Sequence, residues 1–336
     1  MIQQAIQNLI ERRDLNRDEA RQVMDQIMSG EATDAQIGAF LVALRCKGES
    51  VDEIAGCAQV MREKATPICT GREPIVDTCG TGGDGSGTFN ISTAVAFVAA
   101  GAGLCVAKHG NRAMSSKCGS ADVLHALGVN IEVGPEKVGQ CLDEVGIGFL
   151  FAPMLHGAMK YAIGPRRELG TRTVFNVLGP LTNPAGARRQ LIGVYDGELT
   201  DKLAGVLQEL GSERAFVVHG SDGLDEITLA GSTRVSELKD GAISTYDINP
   251  EDFGLQRVDA PALQGGEAEE NAQILLEVLE GKEGARRDVV LLNAGAAIAA
   301  GGGADTLVEG VEKGREAIDS GKARQALENL KRVSGE

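Results

Sequence analysis

The sequence is short of positive charge. Its 33 Lys and Arg are outnumbered by 48 Asp and Glu, for a formal net charge of −15, which excludes the broad basic surface by which proteins hold nucleic acid or anionic membranes. An anionic ligand would have to be met by a local basic site on an acidic body. Cys-x-x-Cys pairs are also missing. The seven cysteines, Cys46, Cys57, Cys69, Cys79, Cys105, Cys118 and Cys141, are odd in number and scattered, which argues for reduced thiols and against a structural zinc site. No apolar run reaches the ~20 residues that cross a bilayer; the longest nearly unbroken one, residues 94–107, falls short. The first ten residues lack a basic start followed by an apolar stretch, so no secretory signal is expected. Internal repeats and low-complexity tracts are absent too. The expectation is a soluble, cytoplasmic protein with neither nucleic acid nor membrane as partner.

What is present is enough apolar material for a large core. At 336 residues and 43% hydrophobic, the chain exceeds the size at which single cores split, so two domains are expected. Residues 1–70 read as a small helical domain. Apolar positions recur at helical spacing in Ile6, Leu9 and Ile10, then Val23, Met24, Ile27 and Met28, then Ile37, Phe40, Leu41 and Leu44. Ser50 with Glu53 forms a capping-box start for a fourth helix. After a link at residues 71–74, short apolar runs alternate with helical stretches, the pattern of βα units around a mostly parallel sheet. The fold class is therefore α/β, with a large domain over residues 75–336. Candidate strands are residues 75–76, 104–107, 148–151, 191–194 and 215–218, followed by a hairpin across Asp240-Gly241 and closing helices over 267–279, 288–300 and 304–318. The middle closing helix is apolar nearly all round and hence expected to be buried. Residues 164–190 interrupt the alternation, and part of them is expected to pack on the small domain.

Three segments carry the chemistry. The first is Gly80-Thr81-Gly82-Gly83-Asp84-Gly85-Ser86-Gly87-Thr88, leading through Asn90, Ile91, Ser92 and Thr93 into a helix. Glycines let backbone N–H groups approach an anion, and a helix start adds unpaired N–H groups and a positive dipole end. A flexible surface loop is the bland alternative, disfavoured because this loop joins a strand to a helix. Gly80-x-Gly82-x-x-Gly85 formally matches a dinucleotide fingerprint, but the next strand runs into Lys108-His109 where a ribose-binding acid is needed. No Gly-Lys-Ser/Thr follows the glycines, so a P-loop is excluded as well. The second segment, residues 108–117, combines Lys108 and Arg112 with the donors Asn111, Ser115 and Ser116. His109 reads as a structural hydrogen-bonding residue, and no general base is assigned. In the third, residues 219–226, Asp225 and Glu226 are adjacent hard oxygen ligands suited to Mg²⁺ beside a polyphosphate. Arg166, after the Gly164-Pro165 turn, is suited to gripping a carboxylate.

Taken together, and in this order, these motifs resemble the anthranilate phosphoribosyltransferases, along nearly the whole chain and including Phe175-Asn176-Val177-Leu178-Gly179-Pro180-Leu181-Thr182-Asn183-Pro184. The resemblance implies a fold like that of class II nucleoside phosphorylases and a hinged closure of the two domains. It also implies a homodimer through the helical domain and two Mg²⁺ ions per subunit. Phosphoribosyl pyrophosphate would be held by Gly80, Gly83, Asp84, Thr88, Asn90, Ile91, Ser92 and Thr93, with Lys108, His109, Gly110, Asn111, Arg112, Ala113, Met114, Ser115, Ser116 and Ser120. Anthranilate would meet Gly80, Asn111 and Arg166, and Mg²⁺ would be held by Ser92, Asp225 and Glu226. The chain departs from the family's usual pattern at Cys118 (usually Ser), His125 (often Glu) and Met114 (usually a smaller aliphatic residue). Cys118 raises the expectation of a thiol-sensitive loop. Two rival readings are a pyrimidine nucleoside phosphorylase, which would not need the Asp225-Glu226 pair, and a nucleic-acid-binding homologue without catalysis, which the net charge disfavours.

Overall fold

The computed structural model describes residues 1–113 and 117–336. Four helices open the chain: α1 (Ile2–Ile10), α2 (Arg17–Met28), α3 (Asp34–Lys47) and α4 (Val51–Lys64). Each of the last three begins with a capping box, Asn16 with Glu19, Thr33 with Gln36 and Ser50 with Glu53, so that side chains satisfy N–H groups the helix cannot. Glu53 does more than cap. Wholly buried, it accepts from the Leu15 N–H (2.9 Å), the Ser50 N–H (2.7 Å) and Lys47 Nζ (2.9 Å), tying the α1–α2 connection and the end of α3 to the start of α4. Their inward faces, among them Met24, Ile27, Phe40, Leu41 and Ile54, are fully buried.

A sheet follows, threaded with helices: β1 (Ile75–Gly80), α5 (Ile91–Gly101), β2 (Cys105–Gly110), α6 (Ser120–Ala126), α7 (Pro135–Val145) and β3 (Ile147–Phe151). The chain then runs back over the helical domain as α8 (Ala152–Leu155), α9 (Lys160–Leu169) and α10 (Phe175–Leu178), with α9 lying against α3 and α2. It returns as β4 (Arg189–Gly193), α11 (Leu199–Glu209), β5 (Arg214–Gly220), β6 (Thr233–Lys239) and β7 (Ala242–Ile248), and ends in α12 (Ala268–Leu279), α13 (Ala285–Ala300), α14 (Leu307–Asp319) and α15 (Lys322–Gly335). The strand order is β3-β2-β1-β4-β5-β6-β7, with the first five parallel and the last two antiparallel. The β6–β7 turn is made by Asp240 (φ 51°) and Gly241 (φ 74°), the left-handed pair expected of a tight hairpin.

Alternation along the strands divides the core. Leu191, Phe216 and Val218 face α5 and the closing helices, among which α13 is buried along nearly its whole length. Ile192, Ala215 and Val217 face the other way and join one apolar cluster with the N-terminal helices, α9–α10 and α11. Among the described residues no helix is long and apolar enough to cross a membrane, and none of the seven cysteines is in a disulfide.

Candidate functional site

The parallel strands β1, β2, β4 and β5 end on glycines, Gly80, Gly110, Gly193 and Gly220, and the candidate residues gather beyond those ends. The glycine loop leaves β1 with Gly82, Gly83, Gly85 and Gly87 all at φ between 66° and 76°, a conformation that side chains resist. It is held at intervals. The Thr81 N–H donates to Gly193 O (2.9 Å), the Gly82 N–H to Asp225 Oδ2 (2.8 Å) and the Gly265 N–H to Gly87 O (3.0 Å). Thr88 bridges to Gln264. Asn90 stands at the N-cap position of α5 without capping it. Ile91 is buried in the core, leaving it only backbone to offer a ligand, and the buried Thr93 hydroxyl has no partner among the described residues.

Asp225 and Glu226 lie against this loop. A Cβ on Gly193 would stand 1.5 Å from the Asp225 carbonyl oxygen, and one on Gly80 2.6 Å from Asp225 Oδ2, so only glycines permit the approach. Burial, then the charge of Asp84, pushes the Asp225 carboxyl up to about 8. Glu226 is raised well above the usual carboxylate range by burial and by Asp225, with Lys108 opposing. Crowded carboxylates that resist ionisation are a site short of positive charge, and hard oxygens suit a divalent cation. The donor set therefore fits Mg²⁺, although no cluster of three His, Cys, Asp or Glu ligands occurs among the described residues. Ser92 is adjacent, its hydroxyl 3.3 Å from Lys108 Nζ.

Lys108, read from the sequence as following its strand, lies inside β2, because the ladder with β3 continues to Gly110 opposite Phe151. Its buried ammonium donates to Thr78 O (2.6 Å). Burial lowers its pKa, opposed by Asp77, Cys79 and Glu226. Asp77, wholly buried, accepts from the His109 N–H (3.0 Å) and Asn183 Nδ2 (2.8 Å). The His109 ring turns away from the loops to Gly179 O (3.1 Å) and His156 Nε2 (3.1 Å). Burial and the second imidazole lower His109 to about 3.

Beyond Gly110, the basic loop is organised by a residue that the sequence reading did not single out, Asp122. Its Oδ2 accepts from the N–H groups of Ala113 (3.0 Å) and Gly119 (2.9 Å), and its Oδ1 from Arg112 (3.1 Å). Arg112 also reaches Glu132 (3.3 Å) and lies over Phe151. Burial would raise the Asp122 carboxyl, but these bonds outweigh it and hold it below the usual value. Asn111 O receives the Ala121 N–H (3.1 Å) and Ser120 Oγ (3.3 Å). Met114, Ser115 and Ser116 lie outside the described residues. The expected thiol sensitivity of Cys118 does not fit its surroundings: it is 7% exposed, and burial pushes its thiol up to about 11.

Arg166 sits near the end of α9 with its guanidinium over the Phe175 ring, 4.9 Å from the centroid, and no hydrogen bond or ion pair to that guanidinium is present among the described residues. It hydrogen-bonds neither Gly80 nor Asn111. Arg172 takes the more active position. It donates to Gly83 O and stacks 4.0 Å from the centre of the Tyr195 ring, while the Tyr195 N–H donates to Thr81 Oγ1 (3.1 Å). No local signal in the sequence connects Arg172, Tyr195 and Thr81: β1–β4 pairing sets Tyr195 beside Thr81, and the connection between α9 and α10 brings Arg172 to them.

Profiles of two domains of the glycosyl transferase family match the chain, the helical bundle domain over residues 3–65 and the α/β domain over residues 72–324. The chain is 58% identical over 331 residues, 98% of each chain, to the anthranilate phosphoribosyltransferase of Desulfosudis oleivorans. Among solved structures it is similar to the anthranilate phosphoribosyltransferase of Thermus thermophilus, at 46% identity, TM-score 0.94 and 99% of each chain. It is also similar to the Saccharomyces cerevisiae enzyme in complex with PRPP and Mg, at 30% identity and TM-score 0.90, covering 99% of this chain and 98% of that one.

Proposed function

The chain belongs to the anthranilate phosphoribosyltransferases of the glycosyl transferase family, and from that premise we infer that it transfers the phosphoribosyl group of 5-phosphoribosyl 1-pyrophosphate to the amine of anthranilate, in the second step from chorismate to tryptophan. The observation that carries this reading is the bond from the Gly82 N–H to Asp225 across 143 residues of sequence, which joins an anion-binding loop to a cation-binding acid. A polyphosphate with its metal needs both.

In the reaction the C1–O bond of the ribose breaks, pyrophosphate leaves with the electron pair, and the amine nitrogen bonds to C1. Anthranilate's arylamine is neutral at physiological pH, so its proton is lost afterwards, to pyrophosphate or water. No base is required, and His109, lowered to about 3 and tied to Gly179 and His156, is a poor one. We assign the glycine loop, Asn90–Thr93, Lys108–Ala113 and Ser120 to phosphoribosyl pyrophosphate. Backbone N–H groups of the loop and the Lys108 ammonium meet the charge that develops on the leaving group. Ser92, Asp225 and Glu226 are assigned to Mg²⁺, two ions per subunit, which when bound neutralises pyrophosphate. Arg166, with Asn111 and Gly80, is assigned to anthranilate; the lack of a counter-charge on its guanidinium supports that role. The same proposal includes a cytoplasmic homodimer formed through the helical domain, where Met1, Ile10 and Val42 are exposed.

The test is to mix protein, anthranilate, phosphoribosyl pyrophosphate and Mg²⁺ and follow anthranilate fluorescence. Loss that depends on all components is expected, and none from folded protein would overturn the reading. Arg166→Ala is expected to raise the anthranilate KM about tenfold or more and to leave that for phosphoribosyl pyrophosphate near its starting value.

A further inference from the structure

Asn271, in the first turn of α12 and only 2% exposed, belongs to neither loop of the site. Its side-chain amide is used at both ends. Oδ1 accepts from the Gly266 N–H (2.8 Å), and Nδ2 donates to Asn90 Oδ1 (3.0 Å). Asn90 passes the connection on, its own Nδ2 donating to the carbonyl of Cys118 at the end of the basic loop (3.1 Å). The segment before α12 is in turn zipped to the glycine loop, through the Gly265 N–H to Gly87 O and the Phe89 N–H to Leu263 O (3.2 Å). The approach is close: a Cβ on Gly265 would stand 2.6 Å from Asn271 Oδ1 and 2.7 Å from Phe89 Cα. One amide thus connects the end of the glycine loop, the start of α5 and the end of the basic loop.

Resting on the assignment of those two loops to phosphoribosyl pyrophosphate, we propose that Asn271 is a positioning residue for that substrate. Acting through Asn90, it sets the spacing between the two loops without touching the ligand. The position requires one donor and one acceptor at once, which an amide has and a carboxylate does not. With the donor removed, Asn90 either keeps its bonds to Cys118 and loses its tie to α12, or flips its amide and breaks its bond to the Cys118 carbonyl, so one of the two connections that set the loops' register is lost in each case.

Asn271→Asp separates this role from simple support of α12, because it keeps the acceptor for Gly266 and replaces by a carboxylate oxygen the donor that faces Asn90 and, beside it, the Cys118 thiol. The experiment compares steady-state kinetics of wild type, Asn271→Asp and Asn271→Ala with both substrates and Mg²⁺, alongside melting temperature and the rate of Cys118 alkylation by iodoacetamide. Both variants are expected to raise the phosphoribosyl pyrophosphate KM about fivefold or more, to leave the anthranilate KM and kcat within about twofold, and to speed Cys118 alkylation. Should Asn271→Ala be too unstable to assay, Asn271→Asp carries the comparison. A folded Asn271→Asp with wild-type KM for phosphoribosyl pyrophosphate overturns the proposal, as does a drop in melting temperature and kcat with that KM unmoved. A folded wild type that does not consume anthranilate overturns the functional premise, and the proposal with it.

Discussion

The glycine loop and the basic loop, both assigned to phosphoribosyl pyrophosphate in the proposal, are held in opposite ways. The glycine loop runs through four left-handed glycines and is fixed at its margins, by Gly193, Asp225, Arg172 and Gly265. The basic loop is gathered around one carboxylate, Asp122, which collects two backbone N–H groups and the Arg112 guanidinium. Their acids differ accordingly. Asp122 is satisfied by donors and held below its ordinary value, whereas Asp225 is raised to about 8 because it is buried beside negative neighbours. One acid is satisfied within the protein, and the other, on the proposed reading, is left for a metal to satisfy.

The largest effect is expected where completion depends on the ligand. Asp225→Asn should lower kcat/KM by about 10²–10³ while leaving melting in EDTA unchanged or improved, since an amide is neutral there without having to take up a proton on folding; a variant of normal activity would remove the metal role. Asp122→Ala should do the reverse, costing about 1–3 kcal/mol of stability through its orphaned N–H groups, measured by urea unfolding, with a smaller loss of activity. Arg172→Ala should raise the phosphoribosyl pyrophosphate KM about three- to tenfold and make the glycine loop easier to cleave by a protease, with stability little changed. Cleavage at the wild-type rate would show that Arg172 does not hold the loop.

A pH series should separate the loops by sign. Between the ordinary carboxyl value of 3.8 and about 8, folded protein keeps a proton on Asp225 that the unfolded chain has released, so in EDTA this group's contribution weakens the fold as pH rises. Mg²⁺ should restore melting temperature, and more so at pH 8 than at pH 6. Asp122 acts oppositely: its contribution is present above the ordinary value and lost as pH falls through its depressed one. A Mg²⁺ effect independent of pH would contradict the raised Asp225. The smallest effect is expected at Cys118, where alkylation of native protein at pH 7 should be slow, because its buried thiol is pushed up to about 11.

How much of this could be read from the chain depended on the range of the interactions. Ser50 and Glu53 announced a helix because a capping box is local, and the hairpin at Asp240-Gly241 was legible for the same reason. The alternation of apolar runs and helical stretches gave the α/β class. Local pattern did not reveal that β2 extends through Lys108 and His109, since that depends on pairing with β3. Asp122 resembled an ordinary acid in the first turn of a helix, and its bonds to Ala113 and Gly119 require the loop to fold back on it. Arg172 and Tyr195 were invisible as a pair. The two segments assigned to the site stand out by their residue types, whereas the contacts that set the distance between them do not.

The bond from Gly82 to Asp225 also has a bearing on time. It closes a loop of 143 residues and depends on β4, whose Gly193 lies against Asp225. Contacts so distant in sequence are costly in chain entropy and form late. During synthesis, a chain that has emerged only as far as β4 has the whole glycine loop but not the acids that complete it. Metal-dependent binding of the pyrophosphate substrate should therefore begin only once β5 and the residues after it have joined the sheet, which makes that binding a reporter of finished folding.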